Sequence, residues 1–573
     1  MKKTAILYCL LIAQLSSYAN ITLPRFFTDH MVLQRNQSIP LWGWAAPGEK
    51  ISITFVDQQK QVVADKSGKW TLRLDPETAG GPYELSIKGM NEIILTDVMI
   101  GDVWICSGQS NMEWTVAQSM NAVEELAKAD NPYIRHIKIN RSINSQPQDD
   151  VDNSSWKVST PVNTGSFTAV GYFFAKKMFE VTRVAQGLIN ASWGGTNIET
   201  WISRQGFESS DEFKDMIAAM PQLSLDSLLI ERQNAVWKRL ELLQGKDFKD
   251  KPSAFFIDPA TKDDQWNTIN QPQIWEEQSI GEIDGIVWLR RTFTANSLQA
   301  GKESILHLAM IDDEDSTFLN GTFIGATTQW NLHRQYNIPA GLLKEGKNVI
   351  SIKVVDNGGG GGIWGKPADL KLVTGPVELS LAGNWKCFVL NAKTGSVENA
   401  FPSLLYNAMI HPLVPYGIKG FLWYQGESNA SRAYQYRKSF PLLINDWRRK
   451  WNNDQLPFYF VQLATFATEG NSNDGCAWAE LREAQTLTLS VPNTGMCVTT
   501  DIGNPNDIHP TNKQDVGYRI AGMALHDLFN QPIDCYSPSF DKLSVVGNKA
   551  MVEFKNAGKG IDDNRKSEND QRI

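Results

Sequence analysis

The sequence predicts an α/β protein, a parallel sheet covered by helices on both faces, preceded by one all-β domain and interrupted by another. Three observations carry this expectation. Apolar runs of strand length alternate with stretches of helical period over residues 99–250 and again over 376–532, as strands buried on both faces and joined by crossover helices do. Residues 20–98 and 251–375 instead show short period-two stretches punctuated by Gly and Pro, the pattern of antiparallel β domains. Finally, the polar turns of the alternating region fall where its strands end, the edge at which such sheets gather ligands.

The chain order begins with Lys2 and Lys3 ahead of a short apolar run, followed by the small residues Ser17-Tyr-Ala19. Residues 1–19 therefore read as a signal peptide, and the protein is expected to be exported, periplasmic or secreted. No later segment offers 18 unbroken apolar residues, so no membrane span is expected. The composition, 42% hydrophobic and 21% charged with a net charge of −8, carries no basic stripe and excludes a nucleic-acid partner. Five cysteines follow the signal peptide (Cys106, Cys387, Cys476, Cys497 and Cys535). Their odd number and scattered spacing make neither a disulfide framework nor a zinc site, and no metal is expected. Nineteen Trp serve core packing first, with stacking on sugar rings as a secondary use.

Residues 20–98 alternate at Ile51, Ile53 and Phe55 and at Trp70, Leu72 and Leu74, predicting a small β-sandwich. The core then opens with an apolar strand ending in Gly108-Gln-Ser-Asn-Met112, where residues 111–117 read as a helix start. Ser110 thus sits at a strand-to-helix turn whose N–H groups lack partners inside the helix, a place suited to a nucleophile beside a developing oxyanion. Its alternative use is as a helix cap. A second strand leads to Trp193-Gly-Gly-Thr-Asn197, a third to Gln425-Gly-Glu-Ser-Asn429, and the last to Asn506-Asp-Ile-His-Pro510. The final helix opens at Thr511-Asn-Lys-Gln514 as a capping box. A serine, a late histidine beside a carboxylate and two Gly-containing turns at one sheet edge are the parts of an acyl-transfer site.

Gly108-Gln-Ser-Asn-Met112, Trp423-Tyr-Gln-Gly-Glu-Ser-Asn429, Trp478-Ala-Glu-Leu-Arg-Glu-Ala-Gln485 and Asp507-Ile-His-Pro510 resemble the sialate O-acetylesterase family within the SGNH hydrolase superfamily. The likeness runs from Ile21 to about Asp534 and includes Phe27-Thr-Asp-His-Met-Val-Leu-Gln34. It implies a flavodoxin-like SGNH hydrolase core that removes O-acetyl groups from sugars, sialic acids above all, with no cofactor. In that reading Ser110 is the nucleophile and His509 its base. The oxyanion hole is the N–H of Ser110, that of Gly195 or Gly194, and the Gln425 side-chain amide. Gln109, Asn111 and Asn506 bind substrate or support the site. The superfamily places an Asp three residues before the histidine, where this chain has Asn506, so Asp507 is assigned as the acid. A Ser-His dyad or Asp501 are the alternatives. Glu427 is assigned to the pocket, supporting Gln425 or contacting substrate, or else it caps the next helix.

Residues 251–375 resemble the jelly-roll sugar-binding module of many glycosidases. Asp312-Asp-Glu-Asp315 reads as a solvated turn rather than a calcium loop, and the five glycines from Gly358 to Gly362 as a flexible loop near the esterase mouth rather than a phosphate cradle. Residues 533–573 hold two strands that either join the N-terminal sheet or belong to a further β-sandwich cut short. From Lys555 onward poor order is expected. The expected substrate is an O-acetylated sugar or glycan. Acetylated xylan is the alternative substrate and a non-catalytic glycan-binding protein the alternative class. A glycosidase is disfavoured because the core offers no convincing carboxylate pair. Oligomeric state has no signature in the sequence.

Overall fold

The computed structural model describes residues 20–220, 224–245, 251–394, 397–399, 401–466 and 476–557. Residues 1–19, read above as a signal peptide, and residues 558–573, most of the tail expected to be poorly ordered, lie outside the described residues. The chain divides into two compact units, Met1–Met220 with Pro402–Ile573, and Pro221–Phe401.

The first unit is built on six strands, β1 (Glu92–Gly108), β2 (Asn131–Lys138), β3 (Gln186–Ser192), β4 (Gly420–Tyr424), β5 (Phe458–Val461) and β6 (Thr494–Cys497). They lie in the order β6-β5-β4-β1-β3-β2 with every neighbouring pair parallel. The helices that accompany them include α1 (Ser110–Glu113), α2 (Ala169–Thr182), α3 (Ala433–Lys450), α4 (Ala477–Leu487) and α5 (Lys513–Phe529). Successive strand side chains point to opposite faces, and β1 feeds two cores. Val103 and Ile105 join Phe440, Leu443, Trp447 and Leu481 from α3 and α4, whereas Trp104 and Cys106 join Phe173, Phe174, Ile520 and Met523 from α2 and α5. Leu443 and Phe440 are fully buried, each adding roughly 1.5–3 kcal/mol.

Three expectations are corrected here. The boundary at residues 98 and 99 falls inside β1, whose first half pairs antiparallel with Gly80–Lys88 while its second half enters the parallel sheet. One strand long enough to serve both sheets makes a linker unnecessary. The last helix is capped by Asn512, which accepts from the Asp515 N–H, and not by a box starting at Thr511. Among the described residues, the two strands near the carboxyl end (Ser539–Val546 and Lys549–Lys555) pair only with one another and join no N-terminal sheet.

Among the described residues the second unit holds three antiparallel sheets, of six, four and two strands, around Trp288, Trp385, Ile350, Ile352, Leu306 and Leu372. It is wider than the interruption expected at 251–375. Strand Gly383–Lys393 pairs with Asp284–Ala295 and Asn267–Gln271. Helix Leu225–Gln244 is tied to that strand, Gln244 donating to Val389 O (2.6 Å) and accepting from its N–H (2.9 Å). Nor is Asp315 in a solvated turn. It is buried in strand Glu314–Leu319 and paired with the buried Arg334 at 3.0 Å. The tryptophans serve packing foremost: Trp104, Trp201, Trp275, Trp288, Trp385, Trp423 and Trp447 are all fully enclosed.

Candidate active site

Ser110, Gly194, Gln425 and His509 follow strands of one parallel sheet, so their turns lie along its carboxyl edge. β1 and β4 end in close approach. Gly108 has φ +131° and a Cβ there would stand 2.1 Å from Tyr424 O, so glycine is required. The next N–H, of Gln109, donates to Tyr424 O at 2.9 Å. Gln109 occupies the cap position of α1, and Ser110 is its first helical residue. The capping alternative for Ser110 is therefore not realised. α1 is also shorter than the run expected over 111–117, ending at Glu113.

Ser110 Oγ lies 2.9 Å from His509 Nε2, although the two are 399 positions apart in sequence. The imidazole is stacked on Trp114, with centroids 5.4 Å apart and planes 16° apart. Burial pushes the His509 pKa below its ordinary value, with the Lys513 charge in the same direction and Asp507 opposing. A depressed pKa keeps the ring neutral, the state that can accept a proton.

Asp507 reaches His509 in two ways. Its Oδ1 accepts the His509 backbone N–H at 2.8 Å and stands 3.7 Å from ring Nδ1, too far for a hydrogen bond in this state. Asp507 is half exposed. Asp501, the competing carboxylate, is forked with Arg519 at 2.7 and 2.6 Å and so is committed elsewhere. Asn506 is exposed, and its N–H bonds Asn504 Oδ1 at 3.0 Å.

The oxyanion donors need one correction. Gln425 has no exposed surface. Its Nε2 donates to Thr196 O (3.1 Å) and Asn429 Oδ1 (2.7 Å), and its Oε1 accepts from Tyr436 at 2.9 Å. Both amide hydrogens are used, so the side chain braces the β4 turn instead of facing Ser110. The Gly194-Gly195 turn does meet the nucleophile. A Cβ at Gly194 would stand 3.2 Å from Ser110 Cβ, and Gly195 has φ +75°. The Gly194 N–H donates to Glu113 Oε2 at 2.9 Å.

The remaining assigned residues tie turns together. Gln109 Oε1 accepts from the N–H groups of Gly426 (3.2 Å) and Ser428 (3.5 Å). Asn111 donates through Nδ2 to Glu427 Oε1 (2.7 Å) and Ile508 O (3.0 Å), so Glu427 supports Asn111 and not Gln425. Three residues escaped the sequence reading. Trp114 carried no signal. Glu113 binds Lys138 (2.9 Å), Arg141 (2.7 Å) and Gly194. Lys513, 1% exposed, donates to Asn111 Oδ1 at 2.5 Å. The one available signal was its position, a cation in the first turn of a helix, where the macrodipole disfavours it.

Comparison with known proteins accords with this geometry. The family model described as carbohydrate esterase, sialic acid-specific acetylesterase, matches residues 100–232 and 387–526. Sialate O-acetylesterase of Mus musculus is 26% identical over 553 residues, covering 89% of this chain and 74% of its own length. The Homo sapiens protein of that name is 24% identical over 568 residues, covering 92% and 75%. Among solved structures, a carbohydrate acetylesterase from Xanthomonas citri shares 29% identity with a TM-score of 0.59, over 94% of this chain and 82% of that one. The chain thus resembles the sialate O-acetylesterases over most of its length and is a carboxylic ester hydrolase.

Proposed function

We propose that the protein hydrolyses O-acetyl esters on carbohydrates, O-acetylated sialic acids first among them, through an acetyl-Ser110 intermediate. The observation that carries the reading is the 2.9 Å contact between Ser110 Oγ and His509 Nε2 at the carboxyl edge of the parallel sheet. His509 takes the hydroxyl proton as Ser110 attacks the acetyl carbonyl, then returns it to the sugar oxygen as that leaves. Water, deprotonated by His509, next releases acetate and restores Ser110. The oxyanion is held by the N–H of Ser110 and that of Gly195. Asp507 stabilises the imidazolium by charge from 3.7 Å. On the same reading the core is of the flavodoxin-like SGNH type, the second unit is a jelly-roll sugar-binding domain, and the protein is exported.

The test is acetate release from 9-O-acetylated sialic acid, with Ser110→Ala alongside. The parent is expected to release acetate, and the variant to lose at least about 10³-fold in kcat, the scale on which loss of a catalytic serine acts. Acetylated xylan is the second substrate arm, because the Xanthomonas citri relative is described by carbohydrate alone. A folded parent that releases acetate from neither substrate sinks the proposal and leaves a glycan-binding role.

A further inference from the structure

The geometry points to Lys513 as a positioning residue of the esterase reaction, one that fixes the Asn111 amide and thereby the approach of the Ser110 turn to the His509 loop. The inference rests on the serine-esterase reading above. Asn111 is covalently next to Ser110, and Ile508, whose carbonyl it holds at 3.0 Å, is covalently next to His509. One side chain thus bridges the two reacting residues.

Lys513 orients that side chain together with the acceptors on Nδ2, Glu427 and Ile508. An amide can rotate by half a turn and exchange its oxygen and nitrogen at little steric cost, so its direction is set by what surrounds it. An ammonium donates and cannot accept. With Lys513 Nζ at 2.5 Å, Asn111 must present Oδ1 to it, which sends Nδ2 to Glu427 Oε1 and Ile508 O. A neutral amine has a lone pair and accepts as well as donates. It still has N–H to donate, but without the charge its bond to Asn111 Oδ1 weakens, and the amide holds the Ile508 carbonyl less firmly.

Keeping a cation at this place is costly. Lys513 is buried and opens α5, where both desolvation and the helix dipole oppose its charge. The site is built to offset this. Nζ stands 5.6 Å from the Trp114 ring centroid and 5.3 Å from that of Tyr424, within cation–π range. The titratable groups that face it are Glu427 and Tyr424 from β4 and its turn, and Asp507 and His509 from the loop before α5. Burial nevertheless pushes Lys513 down to about 7, against the upward pull of Glu427 and Asp507. Since the His509 pKa lies below its usual value, activity should rise with pH as His509 loses its proton and fall as Lys513 loses its own.

The experiment measures kcat and KM for 4-nitrophenyl acetate from pH 5 to 9, a probe that leaves the sugar question aside. Parent, Ser110→Ala, Lys513→Met and Glu427→Gln are compared. Lys513→Met is expected to lower kcat by roughly 10- to 100-fold with KM within about twofold, because a buried positioning residue acts on the reacting groups and not on substrate binding, and to abolish the alkaline limb. Glu427→Gln keeps an acceptor for Asn111 but removes the charge that raises the Lys513 pKa. Its alkaline limb should move to lower pH by about half a unit or more. An unmoved limb in Glu427→Gln, or a Lys513→Met enzyme within about twofold of the parent in kcat and with its pH profile, overturns the inference. Should Lys513→Met fail to fold, the Glu427→Gln limb alone decides. If instead Ser110→Ala stays active, the serine reading falls, and the role of Lys513 falls with it.

Discussion

Replacing Gln425 by Ala separates a bracing role from an oxyanion role. The side chain is wholly buried and makes three hydrogen bonds, to Thr196 O, Asn429 Oδ1 and Tyr436 Oη. Truncation removes three buried hydrogen bonds, at about 1 kcal/mol each, and leaves Asn429 Oδ1 with the Ile198 N–H and Tyr436 Oη with the Gln425 carbonyl. The three bonds share one cavity, so the sum is not strictly additive, and about 3 kcal/mol is expected. Asn429 also holds the Ile198 N–H at 2.9 Å and Glu199 at 3.0 Å, so the loss spreads into the turn beside Gly195. Thermal unfolding should show a midpoint lowered by about 6 °C or more, at roughly 2 °C per kcal/mol for a domain of this size. The kcat of the folded fraction should fall by less than the 10²–10³ that loss of an oxyanion donor costs. A variant within about 0.5 kcal/mol of the parent in stability, yet slower by 10²–10³, would refute the argument. The amide would then leave Thr196 and Asn429 to meet the oxyanion.

Asp507→Asn is expected to reduce kcat by about 10- to 100-fold, less than the 10⁴ known for a buried, directly bonded orienting Asp, because this carboxylate is half exposed and 3.7 Å from Nδ1. A loss near 10⁴ in steady-state kinetics would mean that the two close into a short bond during turnover. Glu113→Gln tests a pH term in stability. Burial raises the Glu113 pKa, but hydrogen bonds and charge from Arg141 and Lys138 outweigh it and hold the carboxyl below its ordinary value. A depressed folded-state pKa stabilises fully above the unfolded value of about 4.3 and is lost as pH falls through the folded one. Unfolding midpoints from pH 6 to 3 should therefore converge for parent and variant at the acid end. Parallel curves would show that the carboxylate contributes nothing.

The elements most legible in the sequence are those whose period is set by one dominant face. The clearest is α3, whose Phe440, Leu443 and Trp447 all enter one core. The strand before Ser110 is apolar throughout because its two faces enter two cores. β2, which starts at Asn131-Pro132 and carries a buried Arg135 and His136, gave no comparable pattern. Strand Gly383–Lys393 was attached to the wrong unit for a related reason: pairing partners distant in sequence, here Asp284–Ala295, leave no trace in periodicity. At the site, residues at strand ends could be found by topology, and Ser110 and His509 do meet. Hydrogen-bond direction could not. Whether Gln425 points toward Ser110 or toward Thr196 depends on acceptors contributed by another turn.

That dependence is the general feature of this site. Gln109 binds the β4 turn, Glu113 the β3 turn, Asn111 both the β4 turn and the His509 loop, and Asn429 reaches from the β4 turn to Ile198. Each side chain spends its polar groups on a turn belonging to a different strand. Such groups are paired before substrate arrives, so they need no reorganisation when charge develops at the ester, and fixed dipoles are worth most under that condition. The sheet holds the four turns only to the precision of its register, whereas attack requires reacting atoms within a few tenths of an ångström. The cross-ties supply the difference. Loosening any of them should therefore lower kcat more than it raises KM, since ground-state binding tolerates a displacement that the transition state does not.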